Sequence, residues 1–403
     1  MIAPAVKPLW LLAIGLLLTI LTEPGRAAEQ PASKPFVQVS GTHFVVQGKP
    51  FFVTGVNSHY LTYASPSEVE RLLDDAVALG VNTVRAILQP VIGSLDGSMP
   101  TMWKPFDPEG DLNDLNVRGT YLLYWDSRHG RMAINDGPNG MHKVDFLIAE
   151  ARKRNLRLIL AFLDFWSFTG GSQQMRAWYG SQDESSFFFR DPRTQRNYKT
   201  WVAHVVQRFN GITGVRYRED PTIFAWELMN EATAKPVTLR LSWTAEMAAY
   251  VKSLDPNHLV SSGYSNVESK LSDMAIENID FGTWHGYPIY YGMSVEKFNE
   301  TIVEFCKLAP WFGKPVLMEE FGYARSNPDA PQAYALWLDT LTRDPNCAGW
   351  LVWRLASKQD DGRFPRDDHD QFDIRKDGSP IWKVLEGAVT QAAARAKGRH
   401  EDR

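Results

Sequence analysis

Short apolar runs and amphipathic segments alternate along this chain from about residue 51 to residue 396, and that alternation limits the folds open to it. The apolar runs fall at 51–56, 81–87, 156–163, 222–229, 257–262, 279–284, 315–320 and 348–353. Each has the length of a strand, and each is close to continuously apolar, as a strand buried on both faces must be. Helical spacing of apolar residues predicts helices at 66–80, 142–154, 193–210, 238–254, 294–308, 327–342 and 380–396. The first is marked at both ends: Ser65-Pro66-Ser67-Glu68 makes a capping box with Pro at the first helical position, and Gly80 stops it. Strands that alternate with helices are parallel and joined by crossovers. Eight such units over about 350 residues favour a closed (β/α)8 TIM barrel, of the α/β class, above an open doubly wound sheet. No Gly-x-Gly-x-x-Gly follows the first strand to argue for a dinucleotide site. Residues 36–39 and 44–46 flank Ser40-Gly41-Thr42 as an N-terminal β-hairpin, placed to plug the barrel floor. One domain, 35–396, is expected, followed by a charged tail at 397–403.

The 403 residues carry a formal charge of only −4, with neither a basic field for nucleic acid nor an acidic arm. Aromatic residues are abundant, at 14 Trp, 14 Tyr and 21 Phe, and core packing is the default reading for them, with sugar binding as the alternative. Sugar rings offer apolar C–H faces that lie well on such side chains. Residues 1–28 read as a signal peptide. Lys7 precedes an apolar run at 9–21 that is short for a membrane span, and Gly25-Arg26-Ala27 offers small residues for cleavage after Ala27 or Ala28. Residues 29–34 form a polar leader. The mature protein is expected to be exported, periplasmic or extracellular, monomeric, and not inserted in a membrane. Cys306 and Cys347 allow at most one disulfide, buried free thiols being the alternative, and neither has metal-ligand spacing around it.

Polar residues collect where the strands end. The second run ends around Arg85, the third leads to Asp164 and Trp166, the fourth to Asn230 and Glu231, the sixth to His285 and Tyr287, the seventh to Glu320, and the eighth to Trp353. A barrel brings these positions to one rim, the face on which enzymes of this fold build their sites. Each has a bland reading alone: an ion-pair partner for Arg85, a core histidine for His285, barrel packing for Trp353, a surface acid for Glu231. Coincidence at six strand ends is the weaker alternative. Two glutamates delivered by separate buried strands are the carboxylate pair of glycoside hydrolysis. Glu227, deeper in the fourth strand on the parity of Glu231, reads as a buried ion-pair or hydrogen-bond partner. Glu319 and Glu320 are expected on opposite faces of the seventh strand, because side chains alternate. Connections 88–141 and 355–379 are long, and the first holds too many aromatics for disorder. Trp103 and Trp125 in it, with Trp166, are candidate sugar platforms, against a reading in which they pack the loop onto the barrel.

These motifs, taken together, resemble the retaining glycoside hydrolases of family 5, clan A, and among them the endo-β-1,4-mannanases. The resemblance spans about residues 36–382. Its most specific stretch is 217–231, where 220–231 reads Asp-Pro-Thr-Ile-Phe-Ala-Trp-Glu-Leu-Met-Asn-Glu. Also similar are Gly41-Thr42-His43-Phe44, Asn135-Asp136-Gly137-Pro138, Gly170-Gly171 with Gln174 and Trp178, His285-Gly286-Tyr287-Pro288, and Glu320-Phe321-Gly322. The resemblance implies Glu231 as general acid/base and Glu320, which directly precedes the aromatic-Gly pair, as nucleophile, with Glu319 structural. It implies that Arg85 and Tyr287 keep the nucleophile ionised and that Asn230 contacts the sugar 2-hydroxyl. His285 would line the cleft near the acid, Trp353 would floor the subsite of cleavage, and Trp166 would stack on sugar. No cofactor and no metal are implied, and the substrate would be a β-linked polysaccharide or oligosaccharide.

Two departures from the mannanase pattern concern substrate contacts. Ala232-Thr233 stand where Pro-Arg usually follows Asn-Glu, and Asp164-Phe165-Trp166 stand where Asn-Asn-Trp is usual. Arg176 or Arg325 could supply the missing leaving-side grip. Three readings remain beside mannan hydrolysis: a β-1,4-glucanase or cellulase, an exo-β-mannosidase, and a sugar-binding barrel without turnover. The intact glutamates with their Arg and Tyr supports disfavour the last.

Overall fold

Eight parallel strands form the centre of the molecule: β1 (Val53–Asn57), β2 (Thr83–Ile87), β3 (Arg157–Ala161), β4 (Ile223–Glu227), β5 (Leu259–Ser261), β6 (Gly282–Gly286), β7 (Val316–Phe321) and β8 (Cys347–Val352). Their hydrogen-bonded order is β5-β4-β3-β2-β1-β8-β7-β6, so the first and last strands in sequence are neighbours, as barrel closure requires. The seam between β5 and β6 is drawn together by bonds outside the regular ladder. Asp280 N–H donates to the Val260 carbonyl (2.9 Å), and Val260 N–H donates to the Asp280 carboxylate (2.6 Å). These bonds explain why the sixth strand starts at Gly282, three residues later than the apolar run suggests.

The computed structural model describes Met1 and residues 35–102, 119–265, 270–365 and 370–401. The expected signal peptide and polar leader (2–34) and Trp103 lie outside the described residues. Among the described residues no helix is long and apolar enough to cross a membrane.

Among the described residues, seven helices of twelve or more residues cover the strands: α1 (Pro66–Leu79), α2 (Met141–Lys153), α3 (Pro192–Gln207), α4 (Val237–Leu254), α5 (Val295–Cys306), α6 (Ala330–Arg343) and α7 (Pro380–Glu401). In α1 the Ser65 hydroxyl accepts the Glu68 N–H and the Glu68 carboxylate accepts the Ser65 N–H, a reciprocal cap that satisfies two otherwise orphaned donors. Val69, Leu72, Leu73, Ala76 and Leu79 form its buried stripe, and Gly80 ends it at φ 84°. After β5 the described crossover has only a single 3-10 turn, Ser272–Ala275. At the other end of the chain, α7 runs through Glu401, so backbone expected as a tail from 397 is helical.

Below the barrel, the strands Val37–Ser40 and His43–Val46 form the expected hairpin, joined by a third strand, Lys49–Phe51. Phe44 packs edge-on against Phe224 (5.0 Å) and Phe281 (5.2 Å), and with Val37 it closes an apolar layer of Val53, Ile159, Leu317 and Leu351. That floor leaves the opposite rim as the open end. There the 88–141 connection builds a small sheet of its own, Val91–Ser94 parallel to Leu123–Asp126 and the latter antiparallel to Arg131–Ile134. Cys306 and Cys347 are joined in a disulfide that ties the end of α5 to the start of β8.

Candidate active site

Beyond Glu227 the chain leaves the β4 ladder but stays clamped between its neighbours. Asn230 N–H donates to the Leu163 carbonyl (2.8 Å) and Glu231 N–H to the Gly263 carbonyl (2.7 Å). Held from both sides, Glu231 adopts φ 51°, a left-handed conformation that costs a non-glycine residue about 1–3 kcal/mol and recurs at functional sites. Gly263 is needed beside it, because a Cβ there would stand 2.4 Å from the Glu227 carboxylate.

Glu231 and Glu320 approach each other across the rim, together with His285, with one ligand atom from each lying within 4.8 Å of the others. Glu231 Oε1 pairs with His285 Nδ1 (2.7 Å), and Oε2 accepts the Trp166 indole N–H (2.7 Å). Glu320 Oε1 accepts from Arg85 Nη1 (2.5 Å) and Oε2 from the Tyr287 hydroxyl (2.6 Å). Arg85, only 1% exposed, is in turn held by Glu227 through two bonds (2.8 and 2.6 Å), by Asn57 Oδ1 (3.0 Å) and by Asn230 Oδ1 (2.8 Å). Glu227 is thus the buried ion-pair partner its place in the strand suggested. Asn230 also donates to Asp164 Oδ1 (2.9 Å), which chains β3 to β4 at the rim.

Glu319 differs from expectation. In β7 the register with β6 runs Met318 opposite Trp284 and then Glu320 opposite His285, so Glu319 has no partner of its own and forms a bulge. The bulge cancels the alternation, and both glutamates meet Arg85: Glu320 at 2.5 Å and Glu319 at 3.7 Å. Glu319 Oε2 also lies 3.3 Å from His285 Nε2.

Crowding of charge shifts several of these groups. Burial pushes His285 down, but Glu320, Glu231 and Glu319 outweigh it and lift the imidazole to about 10. Burial pushes Glu231 up, yet the hydrogen bond and charge of His285, aided by Trp166, bring it below the usual glutamate range. Glu320 moves upward through burial, with His285 and Arg85 opposing. Asp164, buried and close to both glutamates, rises to about 7 although Asn230 and Trp166 donate to it. Glu227 rises to about 7 through burial, with Arg85 opposing and Glu319 adding to the rise.

The remaining residues singled out in the sequence fall around this core. Trp353 is half-buried at the end of β8, its ring 6.1 Å from that of His59 and its backbone N–H donating to the Phe321 carbonyl (2.8 Å). Trp166 is 38% exposed and stacks on Phe168, itself 36% exposed, at 6.2 Å. Phe168 escaped the sequence reading, though an aromatic two residues beyond Trp166 was its signal. Trp125 packs on Trp178 (5.9 Å) and Tyr179 (5.6 Å), the loop-packing reading of that residue. Arg176 is buried and bonded to Gln173, and Arg325 is paired with Asp373 (3.0 Å), so both proposed substitutes for the leaving-side arginine are engaged elsewhere. Glu231, His285 and Glu320 are close enough for a shared cation, but their facing atoms are already used by Arg85, Tyr287 and one another.

A family model described as GH family 5 beta-mannosidase-like matches residues 138–347. A putative mannan endo-1,4-beta-mannosidase 9 of Oryza sativa subsp. japonica is 31% identical over 393 residues, covering 87% of this chain and 88% of the relative. Mannan endo-1,4-beta-mannosidase A of Podospora anserina is 27% identical over 377 residues, covering 89% and 92%. Among solved structures, the endo-1,4-beta-mannanase of Rhizomucor miehei superposes with a TM-score of 0.74 at 27% identity, covering 89% of this chain and 99% of that one. With the barrel and the rim already described, these similarities make the chain an O-glycosyl hydrolase and a member of glycoside hydrolase family 5.

Proposed function

We propose that this protein hydrolyses β-1,4-mannosidic linkages of mannan-type polysaccharides with retention of configuration, using Glu320 as nucleophile and Glu231 as general acid/base. The observation that carries the reading is the unequal support of the two carboxylates. Both oxygens of Glu320 accept hydrogen bonds, one from a permanent cation, and these contacts oppose the upward push that burial gives the nucleophile's carboxyl. Glu231 instead shares a short bond with a titratable imidazole, so it has a nearby store for the proton it must give and take. One oxygen of each carboxylate lies within 4.8 Å of the other, which is compatible with the short carboxylate separation of about 5–5.5 Å used in direct attack on the sugar.

In the first step a Glu320 oxygen bonds to the anomeric carbon, the glycosidic C–O bond breaks, and Glu231 gives its proton to the leaving oxygen. In the second, Glu231 takes a proton from water, the water oxygen attacks the anomeric carbon, and Glu320 departs as a carboxylate. Asn230, held by Arg85 and Asp164, contacts the sugar 2-hydroxyl in this reading. Trp353 floors the cleavage subsite, and Trp166 with Phe168 offers a stacking surface beside the acid. Mannan as the substrate rests on the named relatives, and 1,4-linkage specificity rests on them too. With Ala232-Thr233 at the β4 exit and both candidate arginines engaged, leaving-side binding is weak and manno-oligosaccharides bind mainly on the non-leaving side. Export is supported by the disulfide, a bond that persists in oxidising compartments. Reducing-sugar release from mannan, glucomannan, xylan and soluble cellulose tests the substrate: mannan should be cleaved fastest, and preference for cellulose would replace this reading with a β-1,4-glucanase.

A further inference from the structure

Arg85 needs no third carboxylate, since Glu227 and Glu320 already hold it at 2.5–2.8 Å, yet the bulge in β7 turns Glu319 inward as well. Glu319 is fully buried, and its contact with Arg85 is an ion pair at 3.7 Å without a hydrogen bond. Glu319 Oε2 lies 3.3 Å from His285 Nε2 and the carboxylate also acts on that of Glu227, while the other ring nitrogen, Nδ1, lies 2.7 Å from Glu231 Oε1. Carboxylate, imidazole and carboxylate therefore stand in line, and only the last is open to the cleft, its side chain 22% exposed. A buried carboxylate in that position costs stability unless something else requires it.

We infer that Glu319 is a positioning residue of the reaction: it holds the Nε2–H of His285, so that Nδ1 is the atom that exchanges a proton with Glu231. The inference rests on the reading of Glu231 as acid/base. Before substrate binds, one proton sits between the two groups, on Nδ1 of an imidazolium facing a carboxylate. Its transfer along the 2.7 Å bond makes neutral imidazole and a carboxylic acid, and the acid passes it to the leaving oxygen. In the second half-reaction Glu231 takes a proton from the attacking water and the bond to Nδ1 stores it again, so the protons balance over the cycle. Arg85 from β2, Glu227 from β4, Glu320 from β7 and Tyr287 beyond β6 face the relay, and the three glutamates nearest His285 are what lift it to about 10 against burial.

Glu319→Gln keeps the shape and removes the charge. With it, the alkaline limb of the kcat/KM profile on mannotetraose should move to lower pH by about one unit or more, because His285 loses one of its supports. Activity lost on mannotetraose should exceed that lost on a dinitrophenyl β-mannoside by about tenfold or more, since the activated leaving group needs little acid help. Glu319→Asp should restore part of the limb. An unmoved limb, or equal losses on both substrates at every pH, would show that Glu319 only packs beside Arg85. If Glu319→Gln does not fold, nitrogen-15 NMR of the unmodified protein decides: both His285 ring nitrogens protonated at pH 8 is the expected signature, and a neutral ring at pH 7 overturns the relay. Absence of turnover by the unmodified protein on any β-mannoside would instead sink the proposed function, while the NMR signature would still report on the relay.

Discussion

At the scale of single residues, Arg85 sets the charge balance of the rim, because its guanidinium reaches Glu227, Glu320, Asn57 and Asn230 at once. The roles assigned around it separate by experiment. Glu320→Ala should reduce turnover to near background, and azide should rescue it with formation of an α-mannosyl azide, since a small anion can occupy the place of the lost carboxylate. Glu231→Ala should spare aryl mannosides with good leaving groups and nearly abolish polysaccharide cleavage; the reverse pattern would exchange the two roles. Asp164 offers a separate test through stability. Burial raises its carboxyl to about 7, so folding favours the protonated form: the stability this contributes is full below about pH 4 and is lost as pH rises through about 7. Asp164→Asn, which keeps an acceptor for Asn230 and Trp166, should melt at the parent temperature at pH 4 and above it at pH 8. An equal or lower melting temperature at pH 8 would show that Asp164 is not held protonated. Most of these identities were legible in the sequence, because core packing alone gives no reason for a polar side chain at the end of each apolar run. The direction of Glu319 was not, since it depends on a bulge that no Gly or Pro announces.

At the scale of elements, the exits of β3, β4 and β7 decide what the cleft presents. Backbone bonds from Leu163 and Gly263 fix Glu231, and the β7 bulge delivers two glutamates from consecutive positions. The strand and helix windows read from periodicity match the barrel, and they fail where order comes from contacts that periodicity does not encode. The 88–141 connection reads as loop, yet its described residues form three strands, and Trp125 in the second of them packs on Trp178 and Tyr179 from outside the segment. Likewise β6 begins late because the Asp280 side chain substitutes for a ladder bond. The two tryptophans should therefore behave differently. Trp125→Ala should lower stability by about 3 kcal/mol with KM unchanged, as expected for a large side chain removed from packing. Trp166→Ala should leave the melting temperature within about 2 °C of the parent while lowering kcat/KM on mannan, because the exposed ring loses a sugar surface and Glu231 loses a donor. Activity loss for Trp125→Ala without loss of stability would return that residue to the cleft.

At the scale of the whole molecule, closure of the barrel is what converts six distant strand ends into one site, and the hairpin floor leaves a single rim for substrate. The disulfide serves a different purpose: it closes a segment of 41 residues between α5 and β8 and acts on the unfolded chain. Replacing Cys306 and Cys347 by serine should cost about 4 kcal/mol by loop-closure entropy and lower Tm, with kcat/KM unchanged at 25 °C. A Tm equal to the parent's would show that the crosslink does not limit unfolding. Fold and family pattern were legible across most of the chain, since a βα alternation and the 217–231 stretch are both local signals. The pairing of the two cysteines was not, because it depends on where a helix ends beside a strand. The central claim is double displacement by Glu320 with Glu231 as acid/base, and proton NMR of the first products from mannopentaose tests it most directly. Newly formed reducing ends should appear as β-anomers before mutarotation. Initial α-anomers would contradict the covalent intermediate and the roles built on it.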